Sequence, residues 1–203
     1  MLFIKAPLHS LRKTKAFQFL LSSRLNKPKF CDIGFGHKVA LRPLTHASIR
    51  WKKNRLEPNI RRLICKVLLH LNKIEKDVYF FDIGANIGLY TWEVQKKFPN
   101  NKIISFEPDP KNFELLKMTN SKIASSKVEL QNFALSDISS EAEFLQDNLT
   151  SATGTLEKEE TPWIEKYLKS PSKKIIVYTI KMDEFVRSKK IPSLIKLDVE
   201  GHE

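Results

Sequence analysis

A glycine turn between a predicted strand and a predicted helix is the first feature that could do chemistry. The turn, residues 82–88, reads DIGANIG and follows the apolar run VYFF of residues 78–81, which is typical of a strand buried on both faces. Glycines such as Gly84 and Gly88 permit a tight turn and a close approach of a ligand to the backbone. Free N–H groups at the start of the next helix are expected to face the same crevice. We expect a ligand there, because open α/β sheets bind ligands beyond the carboxyl ends of strands.

An acidic residue follows the next predicted strand. Glu107 comes nineteen residues after Gly88, in the run FEPD of residues 106–109. A carboxylate at this place can accept hydrogen bonds from both hydroxyls of a ribose. A glycine turn after one strand and an acid after the next predict a nucleoside pocket. The alternative is a purely structural turn, in which Asp82 and Asn86 only hold the loop.

The spacing of the glycines favours one kind of nucleoside. Dinucleotide sites typically contain G-x-G-x-x-G, because the backbone must approach a pyrophosphate, whereas this turn reads D-x-G-x-x-x-G. S-adenosylmethionine (SAM) has a sulfonium cation and an amino-acid tail in place of phosphate. We expect Asp82 to serve its cationic end, directly or through water, and Asn86 to offer a donor and an acceptor. An NAD-dependent oxidoreductase is the second enzyme hypothesis, and the absence of a Tyr-x-x-x-Lys pair argues against it.

Strands and helices alternate along the chain after residue 78, which predicts a largely parallel sheet with helices on both faces. The predicted strands are 78–81, 103–106, 128–133, 141–145, 175–180 and 194–198, and the predicted helices are 89–98, 112–118 and 183–187. A short strand or hairpin is predicted within 38–50. The helix predicted from Pro58 has apolar residues at three- and four-residue steps and is expected to pack on the core through Ile60, Leu63, Ile64, Val67, Leu68 and Leu71.

Positive charge is concentrated in the N-terminal third. Residues 1–76 carry 18 Lys/Arg and 3 Asp/Glu, a net +15, whereas residues 77–203 have a net −3. Either a solvated basic face or an anionic partner explains this asymmetry. The first thirty residues contain no acid, and an amphipathic helix there would rest on an anionic membrane or pack on the domain. We predict three regions, a basic segment (1–35), a hairpin and helix (36–76) and a cofactor-binding domain (77–203).

Four motifs in order resemble the signatures of the FkbM family of SAM-dependent methyltransferases. They read FDIGANIGLYT at 81–91, FEPDP at 106–110, NFALSD at 132–137 and IKLDVEGHE at 195–203. The resemblance implies a Rossmann-like class I methyltransferase fold, SAM as cofactor and a hydroxyl acceptor on a sugar, glycan or similar small molecule. Because that fold continues with three more strands, we expect the C-terminal strands to be missing here, which would leave strand 194–198 as an exposed edge.

The resemblance also implies roles for individual residues. The methionine and ribose ends of SAM would be bound by Asp82, Gly84, Ala85, Asn86, Gly88, Glu107 and Pro108, and the adenine by Asn132, Ala134 and Asp137. Asp198, Glu200 and His202 follow the last strand and are the candidates to orient or deprotonate the acceptor, His202 because its ordinary pKa lies near neutrality. Glu200 could equally cap the next helix. Thr150, Ser151 and Thr153 are further candidates to contact the acceptor.

Composition narrows the remaining choices. Two cysteines, Cys31 and Cys65, do not make a disulfide framework or a zinc site, and three closely spaced acids do not establish a metal site, so no metal is predicted. The sequence has no zinc-ligand spacing or helix-turn-helix, so no specific nucleic acid is expected. We predict a cytoplasmic, or peripherally membrane-associated, protein. A non-catalytic nucleotide-binding or membrane-associated module is the alternative from another class.

Overall fold

The computed structural model describes residues 14–34, 36–52, 55–124, 126–146, 151, 154–156, 173–187 and 191–199. The α-helices in these ranges are α1 (Lys15–Ser22), α2 (Ala47–Lys52), α3 (Pro58–Ile74), α4 (Leu89–Lys97), α5 (Pro110–Asn120) and α6 (Met182–Arg187). The strands are β1 (Lys29–Asp32), β2 (Lys38–Leu41), β3 (Tyr79–Ile83), β4 (Lys102–Phe106), β5 (Val128–Gln131), β6 (Ala134–Ser136), β7 (Ser140–Gln146), β8 (Lys173–Lys181) and β9 (Leu194–Leu197).

A four-stranded parallel sheet in the order β5-β4-β3-β9 forms the centre of the molecule. From β3 the chain steps outward to β4 and β5, then returns to place β9 on the other side of β3. The strand order therefore reverses at β3, and open α/β sheets bind ligands at such a switch point. The predicted α/β fold with a parallel sheet is confirmed.

Each face of this sheet has its own core, because successive strand residues point to opposite faces. On one face Phe80 and Ile103 pack against α3, α4 and α5, with Trp92 fully buried. The same core includes Leu41 of the β1–β2 hairpin. On the other face Phe81, Ile104 and Phe106 pack against Phe185 of α6, and the Phe106 and Phe185 ring centroids are 5.1 Å apart. The N-terminal elements thus share a core with the sheet.

A second sheet, in the order β6-β8-β7, lies beside the first, with β6 parallel and β7 antiparallel to β8. The sequence predicted β7 and β8, but it extended β5 to residue 133 and did not predict β6. The strand breaks after Gln131, because Asn132 turns back and donates from its side chain to the carbonyls of Glu107 and Pro108 at 2.8 and 3.2 Å.

Apolar side chains on α3 and α1 are exposed. On α3, Ile64 and Leu68 are buried as predicted, but Ile60 and Leu63 are 49% and 62% exposed, so the core-facing stripe is narrower than expected. On α1, Phe19 is exposed, and contact with a membrane stays a prediction. Across the described residues, no helix combines the length and apolar character needed to span a membrane. β9 pairs only with β3 in the described sheet, and its Ile195 and Leu197 side chains are exposed.

Candidate functional site

A cavity of about 260 Å³ lies at the carboxyl ends of β3, β4 and β9, at the switch point. Its volume is close to the lower end, roughly 300 Å³, of ligand pockets in proteins. Four carboxylates and one amine line it among the described residues, namely Glu57, Glu107, Asp109, Asp198 and Lys196. The chain as a whole carries a net +12, yet this wall is acidic. Such a wall suits a ligand with positive charge.

The N–H groups of the glycine turn, from Gly84 to Gly88, all donate hydrogen bonds to other atoms of the protein. The N–H groups of Gly84 and Ala85 both donate to the carbonyl of Phe106, at 3.1 and 2.9 Å. Those of Asn86, Ile87 and Gly88 donate to Glu107, to the Asn86 side chain and to the Ala85 carbonyl. The N–H groups of residues 84–88 are therefore all used within the protein. A phosphate would find no donor in this part of the turn.

Glu107 holds the turn against β4 and faces the cavity. Its two carboxylate oxygens accept from the N–H groups of Asn86 and Asp109 at 2.7 and 2.8 Å. Burial, with a further contribution from the Asp109 carboxylate, raises the pKa of Glu107 to about 8 despite those two hydrogen bonds. Each oxygen keeps a second lone pair, so Glu107 can still accept hydrogen bonds from two hydroxyls of a ligand.

Asp82 and Lys196 form a buried pair beneath the turn. Asp82 is fully buried, and its Oδ2 accepts from the N–H and hydroxyl of Thr91 at 3.1 and 2.6 Å. The Lys196 amine lies 3.5 Å from Asp82 Oδ1 and donates to the Gly84 carbonyl at 3.0 Å. It also lies 3.5 Å from a carboxylate oxygen of Asp198. Lys196 thus connects β9 to the glycine turn. This role could not be predicted, because the motif IKLDVEG does not show in which direction its lysine side chain extends.

A second pair closes the cavity from the N-terminal side. The Tyr90 hydroxyl donates to Glu57 Oε2, and both residues line the cavity. Glu57 precedes α3 in the left-handed region, with φ 41° and ψ 51°, a costly conformation for a residue other than glycine and one that clusters at functional sites. Glu57 lies outside every motif and could not be predicted, whereas Tyr90 falls within the first motif.

The remaining wall is apolar and amide-rich. Phe133, Leu135, Phe144 and Leu156 contribute apolar surface. The carbonyl of Ser151 accepts from the side-chain amides of Asn86 and Asn112, at 2.5 and 3.0 Å. The buried Asn112 side-chain oxygen has no hydrogen-bond partner within the described structure. An apolar slot with one unused acceptor fits a flat heterocycle that carries an amino group.

The structure brings most of the predicted cofactor-binding residues to this cavity. Its described lining includes Gly84, Ala85, Asn86, Glu107, Pro108 and Ala134. Asp82, Gly88, Asn132 and Asp137 are not part of that lining. Asp82 lies below the turn, and Gly88 packs under Trp92 and Leu116. Asn132 braces the β4 loop, and Asp137 is exposed beyond β6.

Of the three catalytic candidates, only Asp198 lies within the described residues. Asp198 lines the cavity with its side chain 56% exposed. Glu200 and His202 lie outside the described residues, as do Thr150 and Thr153. Ser151 contributes to the wall of the cavity. No group of three or more His, Cys, Asp or Glu side chains suited to a metal ion occurs in the portion of the chain that the structure describes.

Two proteins with similar sequences are named as methyltransferases. The chain is 36% identical over 78 residues to Methyltransferase sdnD of Sordaria araneosa, covering 38% of this chain and 25% of that protein. It is 28% identical over 139 residues to Hexuronic acid methyltransferase AglP of Haloferax volcanii, covering 68% of this chain and 52% of that protein. The chain therefore spans between a quarter and about half of these relatives.

Two solved structures overlap with parts of the fold. The plantazolicin methyltransferase BpumL, in complex with SAH, overlaps 46% of this chain and 35% of its own at a TM-score of 0.34 and 19% identity. Precorrin-6y C5,15-methyltransferase from Geobacter metallireducens overlaps 32% and 35% at a TM-score of 0.26 and 24% identity. The family model described as Methyltransferase FkbM domain matches residues 82–203, more than half of the chain. With its Rossmann-like parallel sheet, the chain belongs to the FkbM methyltransferase family.

Proposed function

We propose that this chain binds SAM and serves the transfer of its methyl group to a hydroxyl oxygen of a sugar or similar small acceptor. The observation that carries the choice of cofactor is the closed glycine turn, whose N–H groups from Gly84 to Gly88 are all used within the protein. A dinucleotide needs such donors for its pyrophosphate, and the carboxylates of Glu57 and Asp198 at the cavity would repel it. A sulfonium and an ammonium group suit the same wall.

Different residues of the cavity bind different parts of the cofactor. Glu107 accepts hydrogen bonds from the ribose hydroxyls, and the apolar slot of Phe133 and Leu135 takes the adenine, with the Asn112 side-chain oxygen accepting from its amino group. Glu57 and Asp198 balance the positive charges. When bound, SAM supplies an electrophilic methyl group. Asp198, exposed at the mouth of the cavity, would orient the acceptor hydroxyl or accept its proton.

A sugar acceptor is supported by one relative. The protein from Haloferax volcanii is named a hexuronic acid methyltransferase, and it matches this chain over 139 residues. The open mouth beside Asp198 is compatible with a hydroxylated ring.

Calorimetric titration of the purified chain with SAM, and separately with NAD, tests this proposal. We expect SAM to bind and NAD not to bind. At about pH 9, where Glu107 with its pKa of about 8 is mostly ionised, Glu107→Gln should weaken SAM binding roughly tenfold or more, because a hydrogen bond to a charged acceptor contributes about 1.5–3 kcal/mol. Glu114→Gln removes a carboxylate that is 56% exposed on α5 and is the matched control. A folded chain that binds NAD but not SAM would refute the proposal.

A further inference from the structure

A second concave surface, about 660 Å³ in volume, runs between α3 and α4. Its charged lining in the described structure consists of five basic residues and one acid, namely Arg61, Arg62, Lys66, Lys96, Lys97 and Glu93. We call this surface the basic groove. Its apolar lining includes Leu69 and Phe98, so it offers both cationic groups and surface for a ring.

The single acid of the groove is already neutralised. Glu93 lies 2.5 Å from Arg61 and 2.6 Å from Lys97. Burial alone would raise the pKa of Glu93, but the hydrogen bonds from Arg61 and Lys97 outweigh burial and lower it. Arg62, Lys66 and Lys96 are exposed and form no ion pair within the described residues. Three positive charges therefore face the groove without compensation.

The basic groove and the cavity are lined by residues that are neighbours in the chain. Glu57 lines the cavity and the next residue, Pro58, lines the groove. Arg61 donates to the carbonyl of Leu56, a cavity residue, at 3.5 Å. On α4, Tyr90 belongs to the cavity and Glu93, about one turn later, to the groove. From Pro58 to Leu69 the groove follows α3 for roughly 16 Å at 1.5 Å per residue.

We propose that the basic groove binds the carboxylate-bearing part of an extended acidic oligosaccharide, whose hydroxyl end reaches the cavity. This inference rests on the proposed function, because it makes the groove a subsite for the rest of the methyl acceptor. Guanidinium and ammonium groups pair with carboxylates, and the apolar patches of Leu69 and Phe98 contact the sugar rings. The net +15 of residues 1–76 attracts the same ligand over a longer range.

The test measures binding of an oligogalacturonate to the 203-residue chain by calorimetry, without SAM, at low and high salt. The variant Arg62→Gln/Lys66→Gln/Lys96→Gln removes the uncompensated charges. The control Lys73→Gln/Lys122→Gln/Lys181→Gln removes three exposed charges outside the groove. We expect the groove variant to bind at least roughly tenfold more weakly than the parent, since each of the three exposed ion pairs contributes a few-fold to affinity. The control should bind like the parent.

Two comparison ligands sharpen the outcome. The methyl ester of the oligogalacturonate keeps the sugar rings without the charge and should bind weakly. A short single-stranded RNA tests the other polyanion. Equal binding by both variants, equal binding of the methyl ester, or tighter binding of RNA through the same three residues would overturn the proposal. A parent chain that binds oligogalacturonate through the groove but not SAM would refute the proposed function alone.

Discussion

The main-chain oxygen of Asp198 stands where a side chain on Gly84 would begin. A Cβ on Gly84 would lie 2.0 Å from that oxygen, and Gly84 has a φ of 73°. The N–H of Asp198 in turn donates to the carbonyl of Ile83 at 3.2 Å. The ends of β3 and β9 are therefore joined by main-chain contact, and the switch point is closed by backbone packing.

Gly84→Ala is expected to destabilise the chain by about 2–4 kcal/mol, because it combines a left-handed backbone with a clash against a main-chain atom that cannot rotate away. Gly36→Ala is the matched control. Gly36 also has positive φ, but its nearest neighbours are Cγ and Cβ of the exposed Lys96 side chain, which can move more than the main-chain oxygen of Asp198, so a smaller loss of about 1–2 kcal/mol is expected. Urea unfolding of both variants measures the difference, and equal losses would contradict the role given to Asp198.

Affinity for SAM is expected to rise with pH. Burial and the neighbouring Asp109 raise the pKa of Glu107 to about 8, and the ionised form is the better acceptor for ribose hydroxyls. The association constant should therefore increase by up to about tenfold per pH unit below pH 8 and level off above it. Calorimetry in the pH range about 6 to 9 measures this slope. In Glu107→Gln the slope should disappear, whereas a slope that persists would assign it to another group.

The stability of the unliganded chain is expected to change with pH in the opposite direction, because of the same carboxyl group. Its folded pKa lies above the ordinary value of 4.5, so the folded chain holds the proton more tightly than the unfolded chain. This contribution to stability is fully present below about pH 4.5 and is lost as the pH rises through about 8. The urea midpoint of the unliganded parent should fall over that range relative to Glu107→Gln. Parallel pH profiles of the two proteins would count against it.

Lys196→Met is expected to cost about 3–5 kcal/mol, because it leaves the carboxylate of Asp82 buried without its cation. Asp82→Asn keeps an acceptor for Thr91 and removes the charge. The double variant Lys196→Met/Asp82→Asn should therefore recover part of the loss, with a coupling energy of about 1–3 kcal/mol in a double-mutant cycle. Additive losses would show that the 3.5 Å pair contributes nothing.

Tyr90→Phe is expected to lower stability by about 1.5–3 kcal/mol, since it removes a hydrogen bond to the Glu57 carboxylate. Burial, followed by the hydrogen bond to Glu57, raises the pKa of Tyr90, so its hydroxyl keeps the proton that it donates. The variant should also bind SAM more weakly, because Glu57 loses its fixed position in the cavity wall. Tyr178→Phe, at a tyrosine that is 62% exposed, should change neither quantity.

The sheet could be predicted from the sequence because its strands are short apolar runs followed by turn residues. Phe80, Phe81, Ile103 and Ile104 are all buried, as two-sided burial requires. The exposed positions Ile60 and Leu63 on α3 could not be predicted, since a helical period fixes one stripe but not how much of it the neighbours cover.

The candidate site could be predicted only where residues follow a strand directly. Glu107 and Asp198 line the cavity because the carboxyl ends of parallel strands meet at one edge of the sheet. Glu57 and Lys196 reach the same cavity through tertiary packing, and Asn112 through the turn of α5. None of these three contacts has a local signature in the chain.

The hydrogen bond between Lys196 and the Gly84 carbonyl joins residues that are 112 positions apart in the chain. During synthesis, the glycine turn is therefore made well before the lysine that binds it. β4 and the loop that carries Glu107, which also contact the glycine turn, are translated earlier than β9. A growing chain can pair β3 with β4 and β5 while the cavity is still open on one side. Affinity for the cofactor should therefore appear late on the ribosome, only after β9 has emerged and docked against β3, so that ligand binding reports this docking.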